Sequence, residues 1–408
     1  IIPKDWEVHN IIENSTLKAR IGWQGLTTAE YREIGDYFLV TGTDFSNGRI
    51  KWETCNYVSK ERFIQDCNIQ VKIGDILITK DGTIGKIAYI NDLPKDGTLN
   101  SGVFVIRPKG NAYLPLFLFY LFNSSYFNDF LRKLVAGSTI NHLYQKDFIS
   151  FQFPLPALRK EQTTIANALS DTDALIENLE KLITKKQNIK KGAMVELLKP
   201  KNDWLEKTLE EISDKKTQWS ITGGPFGSNL KASDYTSEGI RIIQLQNIGD
   251  GKFVNDNEVY TSINKADELL SCNIFPNEII LSKMGDPVAR ACIVPNFHSR
   301  YLMCSDGIRL VVDREKYDFN FIYLSINSPK FRKQAENSST GSTRKRIGLT
   351  ELKSLKISCP TKEVQTSIAQ IITDMNSEIE AMEQKLQKYR MIKQGMMQVL
   401  LTGKIRII

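Results

Sequence analysis

Three histidines (His9, His142, His298) and six cysteines (Cys55, Cys67, Cys272, Cys292, Cys304, Cys359) are the sparse reactive inventory of this 408-residue chain. No histidine stands in a paired-carboxylate or cysteine cluster, and no Cys-x-x-Cys pair occurs. That argues against zinc, disulfides and His-based catalysis, and fits a reducing cytoplasm. Gly82 to Lys86 has the outline of a phosphate loop, but Ile87 follows the Gly-Lys pair and the first glycine is misplaced, so no Walker A exists. A Gly-x-Ser-x-Gly elbow and a His-Glu-x-x-His helix are absent too. Asp75, beside a short strand ending in Lys80, superficially resembles a metal-nuclease carboxylate. The acidic-x-Lys element is missing, however, and the duplicate Glu278–Lys283 marks a structural turn. These residues describe a chain without catalytic machinery or a cofactor of its own.

The remaining polar residues are suited to binding. Thr41 and Thr43 follow one apolar strand, and Gln244, Gln246 and Asn247 follow its counterpart. Such side chains present paired donors and acceptors to base edges, Gln and Asn most specifically to adenine, although ordinary turns use the same residues. Gly137 leads Ser138, Thr139, Asn141 and His142; Gly341 leads Ser342, Thr343, Arg344, Lys345 and Arg346. A glycine-led hydroxyl and basic loop fits a phosphate clamp, because small residues let backbone N–H groups approach the anion. Lys80, Lys86, Lys283 and Arg290 add cations from the turns after two matched strands, and Ser228 and Lys231 add contacts from a Gly-rich loop.

The elements that must position these residues occur twice. Gln162-Thr-Thr-Ile-Ala166 returns as Gln365-Thr-Ser-Ile-Ala369, and over the following helix about 15 of 37 aligned positions are identical. Asp5-Trp6 parallels Asp203-Trp204, Asp75–Lys80 parallels Glu278–Lys283, and Tyr113 to Ser124 parallels Tyr317 to Ser328. The spacing predicts two mixed α/β heads, residues 1–155 and 202–356, each followed by a long helical segment, 156–201 and 357–408. From Glu161 to Leu198 there is no proline, and apolar residues recur at helical spacing; such a helix is about 57 Å long. Leu169, Ile176 and Ile183, with Ile372, Ile379 and Leu386 in the second copy, form a third apolar row beyond the two a paired seam needs. Pro115–Leu134 and Phe319–Gln334 read as helices inside the heads.

Composition sets the outer bounds. The chain is 41% hydrophobic and 25% charged, with a net charge of +7. The heads carry only about +1 each, so a polyanion would meet a local patch rather than a globally basic domain. No apolar run approaches the roughly 20 residues of a membrane span, and no secretory leader is legible.

The chain resembles the specificity (S) subunits of type I restriction–modification systems. The resemblance rests on the duplicated head-and-helix order, Gly223-Gly-Pro-Phe-Gly-Ser228, the Gly-Asp-Ile-Leu strand at Gly74–Leu77, the Gly-Ser-Thr loops and the Gln-x-x-Ile-Ala helix starts. It implies target-recognition domains that each read half of a bipartite, asymmetric site in double-stranded DNA. It further implies long helices that pair antiparallel as a coiled coil and set the spacer. Two methyltransferase subunits would dock on those helices, with Leu169, Ile176, Ile183, Ile372, Ile379 and Leu386 as the interface. S-adenosylmethionine, ATP and magnesium would belong to the methyltransferase and the restriction (motor-nuclease) partners. The first head departs from the pattern at Ile21–Gly25, which lacks a clear Gly-Gly-Pro-Phe-Gly-Ser copy. A competing expectation is a coiled-coil scaffold joining two protein-binding heads, indifferent to DNA.

Overall fold

The computed structural model describes residues 3–22, 25–135, 142–341 and 344–407. The chain forms two compact units, Ile1–Lys181 with Gln384–Ile408, and Leu182–Glu383. Each unit therefore joins one head to half of each long helix.

In the first unit, Ser15–Ala19, Val103–Pro108, Ile76–Thr79 and Ile87–Tyr89 lie side by side in that order, all antiparallel. Ile76–Thr79 is buried along its whole length because both faces of the sheet are covered. Side chains alternate between two cores, as the two-residue period of a strand requires. Ile76, Ile78, Phe104 and Ile106 join a core with Phe117, Phe122 and the long-helix residues Ile165 and Leu169. Leu77, Val103 and Val105 join another with Phe38, Val40 and Leu99. That second core is backed by the small sheet Asn56–Val58, Tyr37–Val40 and Gly97–Leu99.

The second unit repeats the plan. Ile221–Gly223, Gly307–Leu310, Ile279–Ser282 and Ala291–Ile293 make the equivalent antiparallel sheet in the equivalent order. Ile279 and Leu281 face the core that holds Phe321 and the helix residues Ile368 and Ile372, while Ile280 faces the other way. Duplication extends to single contacts. Trp6 packs edge-on to Phe117 at 6.3 Å and Trp204 to Phe321 at 6.0 Å. Arg107 clamps Asp75 and Arg309 clamps Glu278, each through two hydrogen bonds of 2.6–2.8 Å. These carboxylates also accept the N–H of Lys72 and of Phe275, closing a turn ahead of the strand, so the structural reading of Asp75 holds.

The long helices run Arg159–Leu197 and Lys362–Leu400. Within each unit their halves are antiparallel. In the first unit Asp173 pairs with Lys393 at 2.5 Å and Glu180 with Arg390 at 2.6 Å. In the second, Lys186 meets Glu378 and Lys190 meets Asn376. Gln162 and Gln365 anchor the helix starts. Gln162 accepts the Leu114 N–H and donates to the Pro156 carbonyl, at 2.8 and 2.9 Å. Gln365 does the same with Asp318 and Pro360, at 3.0 and 2.8 Å.

The helices inside the heads are broken where the sequence reading made them continuous. Pro115–Phe122 is followed by Ser125–Val135, and Phe319–Ile326 by Pro329–Asn337. Ser328 caps the later helix by accepting the Phe331 N–H, and Pro329 has no N–H to continue the earlier one.

Candidate nucleic-acid interface

Each head gathers its loops at one end of its central sheet. In the first head the turn after Ile76–Thr79 is the pivot. The Lys80 N–H donates to Gly102, and the Lys80 carbonyl accepts from Leu143, which draws the 142–144 segment alongside. Asp81 and His142 form a bridge, and His142 Nδ1 lies 2.6 Å from Asp81 Oδ1. The Thr41–Asp44 turn abuts the same place, because Gly42 packs against the Thr79 side chain.

The second head uses matching bonds. The Lys283 N–H donates to Asp306, the Lys283 carbonyl accepts from Ile347, and Met284 bridges Arg346. Arg346 reaches Asp306 Oδ1 at 3.2 Å, and Lys345 lies 3.8 Å from Glu336. Among the described residues Arg344 and Lys86 form no side-chain hydrogen bond or ion pair, and both are exposed. Lys283 is turned partly inward, its Nζ donating to the Ser305 carbonyl at 3.0 Å. Burial, and then the nearby Arg346 guanidinium, hold its ammonium below the ordinary lysine value. Ser228, Lys231 and Gln246 are exposed.

The structure thus brings Thr41, Thr43, Lys80 and His142 together in one head, and Lys283, Lys345 and Arg346 in the other. Ser138, Thr139, Asn141, Ser342 and Thr343 lie outside the described residues. Three assignments are corrected. Asn247 is 0% exposed; it accepts the Gln244 N–H and donates to the Val254 and Asp256 carbonyls, so it shapes the turn and cannot reach a base. Asp44 has the matching task under Thr41, accepting from its N–H and hydroxyl. Arg290 points inward to the Ile248 and Leu245 carbonyls and closes the neighbouring loop. Finally, Leu169, Ile183, Ile372, Ile379 and Leu386 are buried within this chain, and Ile176 is half-buried, so this row is not a free partner surface. The exposed row on the first helix is Leu175, Leu182 and Ile189. The heptad pattern showed three rows, but which row a head and a second helix cover is decided by packing.

Two features escaped the sequence reading. The described residues that flank Trp23 and Gln24 have structural counterparts in the second head. Ala19 and Gly223 occupy the same register position, opposite Phe104 and Ile308. The Gly25 N–H then closes on the Gly22 carbonyl as that of Asn229 closes on Phe226. Phe226 itself is 84% exposed, a position marked in sequence only by the glycines and proline around it.

A small antiparallel-and-parallel head repeated on paired helices, with polar and basic loops gathered at one end of each sheet, defines a two-headed recognition protein with no metal-ligand cluster among its described residues. Residues 3–191 and 201–389 each match the type I restriction modification DNA specificity domain, and the chain belongs to that family. It is 28% identical, over its whole length and 95% of the relative, to the putative type I restriction enzyme MjaX specificity subunit of Methanocaldococcus jannaschii. To the MjaVIII specificity subunit of the same organism it is 25% identical, over the whole chain and 94% of that relative. Among solved structures, the S subunit from M. genitalium covers 98% of this chain, with 96% of its own length aligned, at a TM-score of 0.57 and 15% identity. A chain from a study of assembly and conformational transition of the type I R-M system matches at a TM-score of 0.59 and 16% identity, covering 99% of this chain and 100% of its own. These two likenesses concern the fold. No helix among the described residues is long and apolar enough to cross a membrane.

Proposed function

We propose that this chain reads a bipartite, asymmetric target in double-stranded DNA on behalf of other subunits, each head contacting one half. The observation that carries the reading is the matched loop cluster of the two heads, built on the same bonds yet bearing different side chains. Thr41, Thr43 and His142 stand where Gln244, Gln246 and Arg346 stand in the second copy. Equal scaffolds with unequal loops are what two different half-sites require. Lys80, Lys86, Arg344, Lys345 and Arg346 supply phosphate contacts, while the threonines and glutamines address base edges.

The paired helices fix the spacer between half-sites, and methyltransferase subunits dock on their exposed apolar row, Leu175, Leu182 and Ile189. The methyltransferases bring S-adenosylmethionine; restriction subunits bring ATP and magnesium chemistry. Methylation mapping in cells that express the chain with its methyltransferase tests the reading. A split motif with two unlike halves is expected, and a single continuous palindrome overturns it. Binding falls steeply with salt if the heads neutralise phosphates; affinity indifferent to salt and to DNA would instead indicate a protein scaffold.

A further inference from the structure

We propose that Phe226 is an aromatic wedge that enters between adjacent base pairs of the half-site read by the second head. The inference rests on the DNA reading above and deepens it by assigning a contact that no hydrogen-bonding residue makes. Phe226 stands 84% exposed although Pro225 just before it is buried. Its loop is anchored to the sheet at its start and closed by a turn of its own. The Gly224 N–H donates to the Gly307 carbonyl at 2.8 Å, and the Asn229 N–H closes on the Phe226 carbonyl at 2.8 Å. Gly224 lies so close to the chain that a Cβ there would sit 1.7 Å from the Cys304 carbonyl oxygen. The ring is therefore presented by a fixed base, which lowers the ordering cost of inserting it.

The surroundings select a polyanion as the occupant. Lys283 Nζ lies 2.7 Å from where a Gly223 Cβ would be, and Lys283 and Arg346 both contact the Ser305–Asp306 turn. Arg344, Lys345 and Lys231 are exposed on the loops that join this end of the sheet. An exposed ring at the same end of the sheet as these cations suits a ligand that offers phosphates outside and flat apolar faces inside, as a DNA base step does. A protein partner that offered an acidic surface and a pocket for the ring would leave the stacking of the DNA untouched, and the test below separates it from a base step.

The test uses the full chain assembled with its methyltransferase subunits and a duplex carrying its mapped target. 2-Aminopurine is placed in turn at each purine of both halves except the methylated one, without S-adenosylmethionine. The wild type is expected to raise fluorescence at one step of one half-site; Phe226→Ala abolishes that rise and weakens binding about 5- to 150-fold. Phe226→Leu, an apolar wedge, keeps most of both, and the salt slope is unchanged in all three because no charge is altered. Equal fluorescence and affinity for wild type and Phe226→Ala, with salt-dependent specific binding intact, overturns the wedge alone. If the wild-type assembly shows no salt-dependent specific binding, the DNA reading falls and the wedge with it.

Discussion

At the scale of single residues, the two buried glutamines show how a recurring motif follows from hydrogen-bond accounting. Gln162 and Gln365 are both nearly inaccessible, and each satisfies one backbone N–H and one backbone carbonyl. Removing the amide strands two buried partners, each costing roughly 1–3 kcal/mol. Gln365→Ala is therefore expected to lower stability by about 2–4 kcal/mol, read as a shifted urea midpoint, whereas Gln365→Glu should fail to donate to Pro360 and rescue little. A second residue-scale device is acid-sensitive. The Asp5 carboxyl is held below its ordinary 3.8, chiefly by hydrogen bonds from Arg406, whose guanidinium also grips the buried Glu161. Because the folded value is depressed, the tether contributes fully above the ordinary carboxylate range and is lost as pH falls through the folded value. Hydrogen-exchange protection factors at residues 401–407, corrected for the intrinsic pH dependence of exchange, should fall below that range in the wild type. In Arg406→Ala they should be low at every pH, and wild-type protection unchanged in acid would disprove the linkage.

At the scale of elements, burial dominates the long helices and charge tunes them. Ile372 is fully buried against the second head's core, so Ile372→Ala is expected to cost about 3 kcal/mol in a denaturation curve. The pair Lys186–Glu378 is about a third to a half exposed on its two sides, and reversing one charge should cost no more than about 1 kcal/mol, with the double reversal restoring it. Helix existence and length were legible in sequence because a long proline-free 3.6-residue pattern has few alternatives. The interruption at Asn327-Ser328 was also written, in a serine cap and a following proline, but the apolar run around it masked the signal. Row assignment was not legible. Leu175 and Ile176 are neighbours of equal apolarity, yet one is 53% exposed and the other half-buried. The difference is set by what packs beside them.

At the scale of the whole molecule, the proposed division of labour predicts separable effects. Deleting one heptad from each long helix preserves the apolar rows and removes about 10 Å of rise, or about three base pairs of DNA. Methylation mapping should then report a shorter spacer with both half-sites unaltered; changed bases with an unchanged spacer would refute the ruler. Exchanging the second head for that of a relative should change one half-site only, because each head has its own core and its own loop cluster.

What the sequence determined by itself was the doubled architecture and the long helices, since these rest on repetition and periodicity that survive without any knowledge of contacts; its motifs added the resemblance to S subunits. The structural reading of Asp75 and Glu278 was likewise present in their equivalence. Tertiary structure alone decided which polar residues remain for a ligand. Asn247 and Arg290 have ideal types for reading DNA but spend their hydrogen-bonding groups on backbone carbonyls, whereas Phe226, of a type that belongs in a core, stands in solvent. Side-chain chemistry fixes what a residue can bind; only the fold fixes whether its donors are already satisfied, and that balance depends on partners far away in sequence.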